Sequence, residues 1–149
     1  MYKRQIIGDA RCKVDLTNPA YRGTGAVDQA SSSRVFTVTG LADFASDWFE
    51  AGMLNWTSGD NAGAGMEVKF HSMLDGVATI ELWQPMPDTV APGDTFVITV
   101  GCKQDAATCQ KKFNNIANFR GFNLIPGPDM LLFYPKIGDD NLDGKSLFN

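Results

Sequence analysis

Hydrophobic and polar residues alternate along several short segments of the chain, which is the pattern of β-strands with one buried face. Residues 34–39 (RVFTVT) and 95–100 (TFVITV) show it most clearly, because both are rich in β-branched and aromatic side chains. A further short strand is predicted at residues 53–57. The pattern therefore predicts a mainly β domain.

A β-hairpin is predicted in the middle of the chain. Residues 66–73 and 78–83 both alternate, and the Asp75-Gly76 pair between them is a preferred two-residue hairpin turn. Residues 23–33 are small and polar, and this composition is typical of a loop.

Two segments are predicted to be short helices. In residues 43–50 (DFASDWFE), Phe44 and Trp48 share one helical face, and Asp43 is a suitable N-cap. Residues 107–117 form the second predicted helix. The predicted fold is a small twisted sheet or partly closed barrel with two short helices.

The predicted boundaries give one β-rich domain, residues 1–137, and a polar C-terminal tail, residues 138–149. A last short strand or extended segment is predicted at residues 131–134. In the tail, residues 139–144 match the first half of a calcium-binding EF-hand loop, but the glutamate that completes such a loop is missing. A polar tail is the preferred interpretation.

Composition narrows the function classes. The chain has 149 residues, of which 44% are hydrophobic, so it is able to form one packed core. No segment approaches the roughly 18 apolar residues of a membrane span, and the N-terminus lacks a signal-peptide core, so we expect a protein made in the cytoplasm. The net charge of −4 argues against direct nucleic-acid binding, and the cluster of Lys111, Lys112 and Arg120 is typical of a solvated face.

The three cysteines are the candidate chemistry of this chain. Cys102 directly follows the strand at 95–100, Cys109 lies in the second predicted helix, and Cys12 is distant in sequence. Thiolates are preferred ligands of iron–sulfur clusters, zinc and copper(I), although six intervening residues are not a zinc-finger spacing. Buried free thiols and a disulfide between Cys102 and Cys109 are the alternatives, and the expected cytoplasmic origin weakens the disulfide.

Eight sequence blocks occur in an order that resembles a known family. They are GDARCKVDL (8–16), WTSGDNAG (56–63), MEVKFH (66–71), LWQPMP (82–87), PGDTF (92–96), GCKQDAATC (101–109), KFNNIANFRGF (112–122) and IPG (125–127). This set resembles the C-terminal domain of the hub proteins of siphophage tails and gene-transfer agents, over residues 8–134. The resemblance implies a non-enzymatic structural component of a tail-tip or baseplate hub, located in the virion, forming a homo-oligomeric ring and contacting other tail proteins.

The resemblance also implies an iron–sulfur cluster, because the related tail-tip protein L of lambdoid phages carries one on cysteines. Cys12, Cys102 and Cys109 would then be its ligands. The family pattern usually has a further cysteine shortly before Cys12, where this chain has Tyr2 or Lys3. A [4Fe–4S] cluster normally takes four thiolates, so His71, the one histidine, is the candidate fourth ligand. Another thiolate-bound metal, or none, is the alternative.

Two other functions fit parts of the sequence. One is an independent metal-binding redox or sensor module, and the other is a cell-wall-directed enzyme of the tail tip. The sequence contains no nucleophile elbow and no P-loop, and its one histidine leaves few candidates for a catalytic base. The amide-rich segment with Asn114 and Asn115 is expected to pack and hydrogen-bond around the thiols.

Overall fold

The computed structural model describes residues 6–121, and within them six antiparallel strands form a closed barrel. The strand order is β1-β2-β5-β4-β3-β6, and pairing of β6 with β1 closes the barrel. The mainly β prediction is confirmed, and the barrel is fully closed. The strands are β1 (Arg22–Ala30), β2 (Val35–Thr39), β3 (Met53–Trp56), β4 (Gly65–Leu74), β5 (Val77–Leu82) and β6 (Thr95–Thr99).

Alternation along the strands fills the barrel with apolar side chains. In β2, β5 and β6 every second residue is buried, as a strand with one face on a core requires. The ring of Trp56 lies 5.4 Å from that of Phe36 and 5.8 Å from that of Phe96, measured between centroids. The largest fully buried side chains are Trp56, Phe36, Phe49, Phe96, Leu41, Leu54, Ile80, Leu82, Ile98, His71, Val38 and Val68.

The predicted hairpin is present as β4 and β5. Leu74 pairs with Val77, and the two residues between them have positive φ angles of 50° at Asp75 and 83° at Gly76. This left-handed pair is the geometry of a type I′ turn, which the Asp-Gly sequence favours.

The loop prediction for residues 23–33 was wrong, because most of this segment is strand β1. A Cβ atom at Gly23 would lie 2.6 Å from the Leu41 side chain, and one at Gly25 would lie 2.6 Å from the Thr39 carbonyl oxygen. The small residues are needed because core side chains and the neighbouring strand approach the backbone of β1 closely.

The helix predicted at residues 43–50 was also wrong, because this segment is a series of turns. Asp47 has a φ angle of 64°, which interrupts a right-handed helix. Its N–H donates to the carbonyl oxygen of His71, at 2.9 Å, so β4 supplies the hydrogen bond that a helix would have made. The turns point Phe49 into the barrel, where it is fully buried.

The second predicted helix is present but shorter, as α1 (Ala106–Lys111). The carboxylate of Asp105 caps it by accepting a 2.6 Å hydrogen bond from the Thr108 N–H. The chain leaves the helix before Asn114, whose φ angle is 46°, and a 3-10 turn (Ile116–Asn118) follows.

No helix among residues 6–121 is long and apolar enough to cross a membrane. The strand predicted at residues 131–134, the domain boundary at residue 137, and the acidic tail with its partial EF-hand pattern lie outside the described residues.

Candidate metal centre

The three cysteines lie together at the end of the barrel where β6 stops and β1 begins. Here a second small core contains Cys12, Val14, Val100 and Phe113, with the half-buried Cys102 packed against it. Cys109 is buried on α1, which directly precedes Phe113. The segment that precedes β1 and the segment that follows β6 therefore meet at this site, which we call the thiol end.

A tight loop presents Cys12. The carboxylate of Asp9 accepts hydrogen bonds from the N–H groups of Cys12, at 2.6 Å, and Arg11, at 2.9 Å. These hydrogen bonds, the one from Cys12 first, lower the pKa of Asp9. Lys13 then adopts a φ angle of 60°, which turns the chain toward Val14.

The strand end and α1 present the other two thiols. The Gln104 N–H donates to Sγ of Cys102 at 3.3 Å. The Cys109 thiol donates to the Asn115 carbonyl oxygen at 3.2 Å. All three cysteines are free thiols.

Asn115 links this site to the N-terminal segment. Its Nδ2 atom donates to the Cys12 carbonyl oxygen at 2.5 Å and lies 3.8 Å from Cys12 Sγ. Asn114, by contrast, is exposed. The predicted hydrogen bonding around the thiols is thus confirmed for Asn115.

Burial is the main cause that raises the pKa values of the Cys102 and Cys109 thiols. Repulsion from Cys12 raises both values further, and Cys102 adds to the effect on Cys109. The packing agrees with these effects, since Cys12 and Cys102 share one small core and both Cys12 and Cys109 contact Asn115. A bound cationic centre would reverse that repulsion, since a nearby metal favours the thiolate.

Lys112 is part of the thiol end, which corrects its assignment to a solvated face. The amine donates to the carbonyl oxygens of Trp48, at 2.5 Å, and Gly101, at 3.1 Å, and lies 5.0 Å from the centroid of the Trp48 ring. Burial lowers the pKa of Lys112 to about 8. The side chain therefore links Trp48, in the turn before β3, to Gly101, which precedes Cys102.

The chemistry of the three side chains, rather than a ligand geometry, is what a thiolate-bound centre would use. Among residues 6–121, no three His, Cys, Asp or Glu side chains are placed to hold one metal ion. In an iron–sulfur cluster the thiolates bind different iron atoms, so they lie further apart than the ligands of one ion. Cys12 and Cys109 are buried and Cys102 is half-buried, and their soft thiols are of the kind that such a cluster takes.

His71 lies inside the barrel. It is fully buried, and its ring centroid lies 5.2 Å from that of Phe49. Both ring nitrogens lack a hydrogen-bond partner among the described residues. Among residues 6–121 the ring contact of His71 is with Phe49, and its role as a fourth ligand stays a prediction.

We expect replacement of His71 by leucine to stabilise the protein at pH 7.5 by about 1 kcal/mol, because it removes two buried ring nitrogens that have no hydrogen-bond partner within residues 6–121. Burial is the main cause that lowers the pKa of His71; Asp47 opposes this shift and Lys112 adds to it. The unfolded chain therefore binds a proton more readily, so wild-type stability falls as the pH drops below about 6.5.

Urea denaturation of both proteins at pH 7.5 and 5.5 tests this expectation. The His71→Leu protein should lose less stability between the two pH values. Because the chain has one histidine, no other imidazole contributes to the difference. An equal loss in both proteins would contradict the expectation.

Comparison with known proteins identifies the family. Residues 47–129 match the model of a family described as phage conserved hypothetical protein BR0599. The chain belongs to this family. No curated protein matches the sequence.

A solved structure gives a second match. It is a chain of the structure titled "Virion of native gene transfer agent (GTA) particle", with a TM-score of 0.80 and 39% sequence identity. The match covers 97% of the present chain and 49% of the virion chain, so this protein spans about half the length of that relative. These two matches confirm the phage and gene-transfer-agent resemblance in its broad form.

Proposed function

We propose that this protein is a non-enzymatic structural component of a phage or gene-transfer-agent virion and belongs to its tail-tip or baseplate hub. The observation that carries the proposal is the likeness to a chain of a gene-transfer-agent virion, at 39% identity and a TM-score of 0.80. The order of the eight sequence blocks supports the hub assignment within the virion. As a hub subunit the chain would form a symmetric oligomer and contact other tail proteins.

In this proposal Cys12, Cys102 and Cys109 hold an iron–sulfur cluster, of the [4Fe–4S] type, and a ligand other than these three completes it. Bound there, the cluster supplies a covalent cross-link. Cys12 precedes the first strand and Cys109 follows the last, so the link would tie the two flanking segments to each other and to the barrel end. The cluster's role is thus structural, because metal binding adds to folding stability.

Anaerobic affinity purification from cells that produce the particles tests both parts. The hub assignment predicts that tail proteins co-purify with the chain and that the complex is a symmetric oligomer. The cluster assignment predicts iron, sulfide and visible charge-transfer absorption. A monomer without tail proteins would contradict the first part, and a colourless protein without iron or sulfide would contradict the second.

Substitution of the thiols tests the ligand set. Cys12→Ser, Cys102→Ser and Cys109→Ser should each lose most of the bound iron and lower the melting temperature. Ala107→Ser is the matched control, because it places a hydroxyl on the exposed side of α1, two residues from Cys109. Normal iron content in all three cysteine variants would argue against these ligands.

A further inference from the structure

We propose that Asn115 is the positioning residue of the thiol end: it fixes Cys12 and Cys109 relative to each other and donates a hydrogen bond to the Cys12 sulfur. The inference rests on the proposed function, since it assigns Asn115 a role toward the cluster that these thiols would hold. It adds a residue that is not itself a metal ligand.

The contacts of Asn115 join two distant parts of the chain. Its side-chain amide reaches the carbonyl oxygen and the sulfur of Cys12, a residue 103 positions away in the sequence. Its backbone N–H donates to the Cys109 carbonyl oxygen at 2.9 Å. One residue therefore holds the segment before the barrel against the helix that follows it.

The orientation of the amide is itself fixed. Nδ2 of Asn118 donates to Oδ1 of Asn115 at 2.6 Å. Because this contact uses the oxygen of the Asn115 amide, its nitrogen faces Cys12. Aspartate at this position has the same shape but no N–H to donate, so the side chain must be an amide.

Metal binding would remove one contact of Asn115 and leave the others. Cys109 as an iron ligand would be a thiolate, so it would lose the S–H···O hydrogen bond to the Asn115 carbonyl oxygen. The backbone bond from Asn115 to the Cys109 carbonyl does not involve the thiol proton. The N–H···S contact to Cys12 becomes stronger when the sulfur is a thiolate, because its acceptor is then charged. Hydrogen bonds to the ligand sulfurs are one of the factors that set the reduction potential of a cluster.

The test compares Asn115→Asp with Asn114→Asp. Both variants add one negative charge at neighbouring positions, and aspartate tolerates the left-handed backbone at Asn114. In the metal-free protein, Asn115→Asp should speed hydrogen exchange of the backbone amides of residues 11–14 by about tenfold, since the anchor of that segment is lost. After reconstitution with iron and sulfide, its midpoint potential should be more negative than that of Asn114→Asp.

Two results would overturn the proposal. One is equal exchange rates in the two metal-free variants, which would mean that Asn115 does not anchor the Cys12 segment. The other is an equal midpoint potential in the two reconstituted variants, which would mean that Asn115 does not act on the cluster. If wild-type protein takes up no iron, the cluster assignment fails by itself, and the exchange comparison still tests the anchoring role.

Discussion

Replacement of Phe36 by alanine is expected to lower the free energy of unfolding by about 3–5 kcal/mol. Phe36 is fully buried on β2, and its ring lies 5.4 Å from that of Trp56 at the centre of the barrel. Alanine would leave a cavity there, because the strands on both sides of β2 are hydrogen-bonded and cannot collapse into it. The midpoint of urea denaturation measures the loss.

Phe70→Ala is the matched control, because it removes the same side chain from the outer face of β4. Phe70 is 44% exposed, so its truncation should cost less than about 1 kcal/mol. Losses of similar size in the two variants would mean that the barrel interior has been assigned to the wrong face of these strands.

Strands with large apolar residues could be predicted from the sequence because their signal is local. In β2, β5 and β6 the alternation is complete within five or six residues, and the Asp75-Gly76 turn fixes the hairpin. Strand β1 could not be predicted in this way. Glycine is needed at positions 23 and 25 because side chains such as Leu41 and Phe96 occupy the space of a Cβ atom there. These side chains come from other parts of the chain.

The incorrect helix prediction at residues 43–50 also results from contacts with a distant part of the chain. The spacing of Phe44 and Trp48 fits a helical face, but the backbone is held by bonds to β4. The N–H of Asp47 donates to the His71 carbonyl, and the N–H of Ala51 donates to the Val68 carbonyl. These bonds depend on the packing of the segment against β4, which lies far away in the sequence and which local spacing does not encode.

The candidate site was only partly predictable. Cys102 and Cys109 are close in sequence, and the resemblance to hub proteins added Cys12. The burial of Lys112 had no sequence signal, because its partners are backbone carbonyls of Trp48 and Gly101 rather than residues of opposite charge. The sequence also offered His71 as a ligand only because it is the one histidine, and in the barrel its ring packs against that of Phe49.

Replacement of Gly101 by alanine is expected to cost about 3 kcal/mol of stability and, for the cluster proposed above, to lower the iron content. A Cβ atom at Gly101 would overlap the carbonyl oxygen of Glu50 and the backbones of Ala51 and Gly52. These are backbone atoms, so the end of β6 must move away from the turn before β3, and overpacking of this kind costs about 1–3 kcal/mol or more.

That movement would reach the thiol end, because Gly101 directly precedes Cys102 and its carbonyl oxygen accepts a hydrogen bond from Lys112. Gly65→Ala is the control: the closest atom that its Cβ would meet is the amide oxygen of Asn55, at the free end of an exposed side chain. Urea denaturation and iron quantification on both variants separate the two cases. If Gly101→Ala were as stable and as iron-rich as Gly65→Ala, the close packing of β6 against this turn would not be what positions Cys102.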